Sequence, residues 1–203
     1  MHKAEVALAE LLARLEELGN KYVAAMTEPY TYKDRLVCRP RNAKCFPSFV
    51  LCDRPRAGLF VSEGLCPVEL IELEDRDTAV AMFRFGANNI VVASVYLDIH
   101  NKAVVSKGLK KVVSFCKKRG FQCVIAADTN CHSAMFGPST NKRGEVLEDF
   151  VVQEGLAIQN VGMEPTFETT RASSCIDATM TLGPVSLETG RLSKTSTDLT
   201  TRR

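Results

Sequence analysis

Three acidic residues of this 203-residue chain stand where apolar runs end or pass: Glu28, Asp128 and Asp177. Glu28 follows the run Tyr22 to Met26 in Thr27-Glu28-Pro29, and Asp128 follows Phe121 to Ala127 and opens Asp128-Thr129-Asn130. Asp177 lies inside the run Cys175 to Leu182. A hard divalent cation takes oxygen ligands from one or two carboxylates and keeps water and substrate phosphate in its other positions, so this set suits metal-assisted chemistry on a phosphate ester. Taken singly, each is read more simply as a solvated or helix-capping group. The combination carries the case.

Other reactive side chains argue for less. Eight cysteines (Cys38, Cys45, Cys52, Cys66, Cys116, Cys123, Cys131, Cys175) include no C-x-x-C pair, and zinc sites usually draw ligands from such pairs. The start, Met1-His2-Lys3, has no apolar core of a secretory signal behind it. An intracellular location and free thiols are therefore expected, nuclear if the substrate is chromosomal DNA. The net charge of +2 decides nothing about a polyanion, although positive charge gathers at Lys33, Arg35, Arg39, Arg41 and Lys44 and again at Arg54 and Arg56. No apolar run is long enough to span a bilayer, so no membrane partner is expected.

The elements that must position the carboxylates follow from periodicity. Val6, Leu8, Leu11, Leu12, Leu15 and Leu18 mark a helix with one apolar face over Lys3 to Leu18, stopped at Gly19. Tyr22 to Met26 reads as a buried strand. After a Pro-, Arg- and Cys-rich loop, Gly58 to Ser62, Val68 to Leu73, Thr78 to Phe85 and Ile90 to Leu97 read as consecutive antiparallel strands. Val104 to Arg119 has helical spacing, with Lys107, Lys110, Lys111, Lys117 and Lys118 on its solvated face. Phe121 to Ala127 is a strand, Arg143 to Glu154 a helix closed by Gly155, and Leu156 to Gln159 and Cys175 to Leu182 are short strands. Such an order predicts an α/β protein with packed sheets covered by helices.

Read in order, Thr-Glu-Pro-Tyr at Glu28, Ser-Val-Tyr at Tyr96, Ala-Asp-Thr-Asn-Cys-His-Ser through Asp128 and Cys-Ile-Asp at Asp177 form one pattern. With Arg143 to Phe150, Gly155-Leu156 and Pro165-Thr166-Phe167, it resembles the endonuclease of non-LTR retrotransposons, an apurinic/apyrimidinic-endonuclease-like branch of the endonuclease/exonuclease/phosphatase superfamily. The resemblance covers nearly the whole chain. It implies an α/β sandwich of two packed mixed β-sheets flanked by helices, incomplete at the N- and C-termini, over residues 1–187, with a divergent or disordered C-terminal tail expected over 188–203.

What the resemblance implies for function is DNA as partner, Mg2+ (or Mn2+) as cofactor, no small-molecule cofactor, and hydrolysis of a phosphodiester. Glu28 would be the metal residue, and Asp128 would orient the attacking water. Asn130 and Tyr96 would donate hydrogen bonds to phosphate oxygens, and Asp177 would support a histidine. His132 and Ser133 would shape the loop. That family places the histidine in a Ser-Asp-His triplet, whereas this chain reads Thr197-Asp198-Leu199 at the nearest approximation. It also has a strand ending in Asn before the opening helix, where this chain begins at Met1. The expectation is an endonuclease-like domain that is inactive or weak. The alternative is a nucleic-acid-binding or interaction module that keeps the fold without catalysis, with Arg35, Arg39, Arg41, Arg54 and Arg56 on phosphates.

Overall fold

The computed structural model describes residues 2–17, 21–29, 31–32, 35–36, 43–46, 54–160, 167–168 and 173–185. Helix α1 runs His2–Glu17. Strands β1 (Val23–Thr27), β4 (Ala43–Phe46) and β5 (Ala57–Ser62) form one antiparallel sheet in the order β1-β5-β4, and β2 (Thr31–Tyr32) pairs with β3 (Arg35–Leu36) in a small hairpin. A second sheet of six strands follows the order β10-β13-β9-β8-β7-β6, built from β6 (Val68–Glu69), β7 (Thr78–Phe85), β8 (Asn88–Tyr96), β9 (Gln122–Asp128), β10 (Ala157–Ile158) and β13 (Asp177–Leu182). Strands β11 (Phe167–Glu168) and β12 (Ser173–Ser174) pair with each other.

Side-chain alternation along the strands builds the layers. On β5, Leu59 and Val61 meet Phe46, Ala79, Ala81 and Phe83 between the two sheets, while Phe60 turns the other way, onto Leu15 of α1 and Ala43. On the six-stranded sheet, Val80, Met82, Val91, Ala93, Val95, Cys123, Ile125, Ala127, Ala178 and Met180 face the helix layer. There they meet Leu109, Val112 and Val113 of α2 (Lys107–Arg119) and Leu147, Phe150 and Val151 of α3 (Lys142–Glu154). The result is helix, sheet, sheet, helices. Period-two alternation makes this possible, because strands buried on both faces serve two cores at once. Full burial of each large side chain stabilises by roughly 1.5–3 kcal/mol.

Helix limits have local causes. Ser106 Oγ accepts from Leu109 N at 3.1 Å and Asn141 Oδ1 from Gly144 N at 2.8 Å, so each helix start satisfies a free N–H. Gly120 and Gly155 end the helices at φ +65°, a left-handed conformation that glycine adopts without strain. Helix α2 also makes β8 and β9 parallel neighbours, since parallel strands need a crossover.

Two strand expectations need correction. Gly58 to Ser62 does not precede a meander in the same sheet; β5 pairs with β1 and β4 instead. A 3-10 turn at Glu63–Leu65 and Cys66 at φ +45° carry the chain across to the second sheet. Only residues 68 to 96 form the meander. Within it Ile71–Leu73 is a 3-10 turn rather than strand. The expected Pro-, Arg- and Cys-rich loop holds strands β2, β3 and β4. Among the described residues, no helix is long and apolar enough to cross a membrane.

Candidate functional site

The second sheet places its polar residues in a row. Tyr96, last on β8, pairs in register with Asp128, last on β9, and Asp128 pairs with Asp177, first on β13. Alternation puts Tyr96 and Asp128 on the face away from the helices, because Val95 and Ala127 beside them are in the helix-side core. Asp177 shares that face as the direct cross-strand neighbour of Asp128. Glu28 comes from the other sheet, just beyond β1. The sheets are tied together close by, where Ser94 Oγ donates to the Met26 carbonyl at 2.8 Å.

Backbone geometry at this end is specialised. Glu28 and Asn130 both have φ of +47°, a region that residues other than glycine rarely occupy. Glu28 is held there by its N–H donating to the Arg56 carbonyl at 2.7 Å. Asn130 is held by an Asx turn, its N–H donating to Asp128 Oδ1 at 3.2 Å. The neighbouring Thr129 donates both its N–H (2.8 Å) and its hydroxyl (2.5 Å) to the Ile176 carbonyl, locking the loop after β9 to the start of β13. Loop positions in such conformations are a common feature of functional sites.

Electrostatics set these groups apart from ordinary surface acids. Burial pushes the Asp128 carboxyl up to about 7, with the charge of Asp177 next in effect and Glu28 adding to it, against the opposing Asn130 N–H. Crowded carboxylates resist ionising together. The Tyr96 phenol is raised by burial, by the charge of Glu28 and by the hydrogen bond it donates to that carboxylate; Arg56 works in the opposite direction. Asn130 Nδ2 is buried with no hydrogen-bond partner. Among the described residues, no group of three His, Cys, Asp or Glu side chains is arranged to hold a metal ion by protein ligands alone.

The loop motif is fixed from below. Ser133, fully buried, donates its hydroxyl to Glu148 Oε1 of α3 at 2.6 Å, and Thr140 Oγ1 and Ala134 N reach the same oxygen at 2.9 and 3.1 Å. These donors, Ser133 first, hold the Glu148 carboxyl below its ordinary range. The His132 side chain is exposed, and its carbonyl accepts from Asn141 N at 3.1 Å. Gly144 is demanded by that carbonyl, since a Cβ there would lie 1.7 Å from its oxygen.

The basic residues scatter. Arg35 lies in β3, and Arg39 and Arg41 lie outside the described residues, as does the tail from 188. Arg56 is not an open phosphate contact: its guanidinium is spent on Asp77 and Asp98. Cys66, Cys116, Cys123 and Cys131 are free thiols, and Cys38 and Cys52 lie outside the described residues. Residues the motifs did not single out include Asp77, Asp98 and Asn160, and Arg143 had a place in a matching stretch but no role. Asn160 clips the start of β13, with Nδ2 on the Asp177 carbonyl (2.9 Å) and Oδ1 on Thr179 N (2.8 Å). Arg143 grips the carbonyls of Asn101 and Asp98, both at 3.0 Å. The signal in the sequence is closeness to a motif for Asp98, two residues past Tyr96, and for Arg143, at the start of a matching stretch; Asp77 has none.

A family model described as "Endonuclease-reverse transcriptase" matches residues 90–200. Among solved structures, the endonuclease domain of TRAS1, a telomere-specific non-LTR retrotransposon, is similar with TM-score 0.66 and 22% identity, covering 83% of this chain and 76% of that one. A humanized D. rerio TDP2 is similar with TM-score 0.57 and 12% identity over 89% of this chain and 77% of that one. D. rerio TDP2 complexed with a single-strand DNA product has TM-score 0.52 and 13% identity over 88% and 76%. A search of curated proteins finds no match. The shared feature is the mixed α/β fold with two sheets.

Proposed function

The chain belongs to the endonuclease-reverse transcriptase family, and on that premise we propose that it is a retrotransposon-derived endonuclease-like domain whose site is built for Mg2+- or Mn2+-assisted hydrolysis of DNA phosphodiesters, with weak activity or none. The observation that carries this reading is the row Tyr96, Asp128, Asp177 in register at one sheet end, with the Glu28 carboxylate of the opposite sheet near enough to raise the Tyr96 phenol. The donor chemistry fits a hard cation. Asp128 retains a proton to about pH 7 because it is buried and, next, because Asp177 and Glu28 stand beside it, and a divalent ion would offset both by favouring the charged form. A small ion of this kind uses one or two carboxylates plus water and phosphate, so a three-residue protein cage is not required. Bound beside Glu28, magnesium would neutralise charge on the phosphate and leaving oxygen.

The protein groups have separable tasks. Asp128, once deprotonated, accepts from and orients a water molecule. Asn130 Nδ2 is a buried donor awaiting an acceptor, which suits a phosphate oxygen. Tyr96 offers a second donor when its hydroxyl turns from Glu28. Asp177 keeps the row negative. Weakness follows from the sequence: Leu199, nearest to the family's histidine in the Ser-Asp-His pattern, has no proton to exchange. DNA is the substrate class that fits, and the domain is taken as residues 1–187.

The test is nicking of supercoiled plasmid with magnesium, with chelator, and by Asp128→Asn. Slow nicking that needs magnesium and disappears in the variant supports the reading. Salt-sensitive DNA binding with no nicking at any magnesium concentration would favour a binding module instead. Nicking that survives chelator or Asp128→Asn would overturn it.

A further inference from the structure

The guanidinium of Arg56 closes a ring of contacts that joins the two sheets at the site. Its Nε and Nη2 donate to Oδ1 and Oδ2 of Asp77 at 2.6 and 2.7 Å, a planar two-point clamp, and Nη1 donates to Asp98 Oδ2 at 2.8 Å. The same group lies over the Tyr96 ring, Cζ 4.7 Å from its centroid. Main-chain bonds complete the circuit. Arg56 O accepts from Glu28 N at 2.7 Å, Arg56 N donates to Arg76 O at 2.7 Å, and Tyr96 N donates to Asp77 O at 2.8 Å. Asp98 is steadied in turn by Arg143 on its carbonyl and by His100 N on Oδ1 at 2.9 Å.

We propose that Arg56 is a positioning residue of this site: its side chain fixes the plane and reach of the Tyr96 ring, and its carbonyl holds Glu28 in its unusual backbone conformation, so that carboxylate and phenol meet. This rests on the reading of Glu28 and Tyr96 as site residues given above.

Arginine is the side chain that can do this. Its rigid fork matches one carboxylate with two bonds, leaves a third donor for another, and presents a flat face to an aromatic ring. Lysine supplies the charge but neither fork nor plane. The whole cluster of Arg56, Asp77 and Asp98 is half-buried, so the geometry is held more firmly than in an exposed ion pair. An arginine spent only on stability would have no reason to sit over Tyr96 and beneath the Glu28 peptide at once.

The experiment uses the full chain with 13C-labelled tyrosine, which has only four ring signals, that of Tyr96 identified by its absence in Tyr96→Phe. In Arg56→Met the Tyr96 ring signal should move and broaden at constant pH while backbone amides of α3 and β13 stay in place, and Arg56→Lys should restore it in part. Where nicking is measurable, kcat should fall about tenfold to a hundredfold in Arg56→Met with KM little changed. If Arg56→Met does not fold, Asp98→Asn, which removes a single acceptor, should produce the same shift on a smaller scale. An unmoved Tyr96 signal in a folded variant overturns the proposal. Absence of both magnesium-dependent nicking and salt-sensitive DNA binding in the wild type would count against the endonuclease-like reading alone, because the ring signal decides the role of Arg56 without either.

Discussion

Replacing Asp128 by Asn should make the protein more stable, and only at the upper end of the pH range. Burial raises the Asp128 carboxyl from 3.8 to about 7, helped by Asp177 and then Glu28. In the unfolded chain the group releases its proton near pH 3.9. Between these values the folded state binds the extra proton, so stability falls as pH rises from about 4 through 7 and the deficit is complete above that. A rise from 3.8 to about 7 corresponds to about 4 kcal/mol as a ceiling. The side chain is half-buried, and solvent screening brings the expected effect to about 2 kcal/mol. Asn is isosteric, carries no charge and keeps an oxygen to accept from Asn130 N. Urea unfolding in chelator should therefore show Asp128→Asn about 2 kcal/mol more stable than wild type at pH 8, or roughly 4–8 °C in Tm, and near-equal at pH 4. A gain of the same size at both pH values, or a loss at pH 8, would refute the argument that unrelieved carboxylate charge stresses this site.

Four other outcomes follow from the same geometry. Magnesium at pH 8 should raise the Tm of the wild type but not of Glu28→Gln, since an ion that binds only the folded state stabilises it; equal shifts would remove Glu28 from the ion's ligands. Asp177→Asn should lower the pH at which the stability curve bends, because the second-largest influence on Asp128 is gone, and should change stability more than nicking; selective loss of nicking would contradict this. Gly144→Ala forces a methyl group into the His132 carbonyl and should cost about 3 kcal/mol in urea unfolding, so a wild-type midpoint would count against the close approach. Ser133→Ala removes one of the donors to Glu148 and should cost about 1–2 kcal/mol in urea unfolding; an unchanged midpoint would count against a role for that bond in holding the loop.

How much of this was legible in the sequence depends on the range over which each feature is encoded. The helices α2 and α3 follow from apolar spacing and from Gly120 and Gly155, all signals within a few turns of the chain. Strand β9 and its ending in Asp128 were equally plain, because an apolar run must stop where a carboxylate needs water or a partner. The ordered motifs also placed Glu28, Tyr96, Asn130 and Asp177 on the page as one set. Which sheet a strand joins is a different matter. Gly58 to Ser62 has the composition of any buried strand, and nothing within it says that its partners are β1 and β4 rather than the strand after it. The register that puts Tyr96, Asp128 and Asp177 in one row is likewise a long-range choice; a slip of one residue would turn the acids into the helix-side core. Arg56 shows the limit most clearly. In the sequence it is one of several neighbouring basic residues, and only folding brings it to Asp77 and Asp98, 21 and 42 positions away, and over the Tyr96 ring. Local chemistry is written in the order of the residues, but partnership between distant charges is decided by the packing of two sheets whose contacts no local pattern specifies.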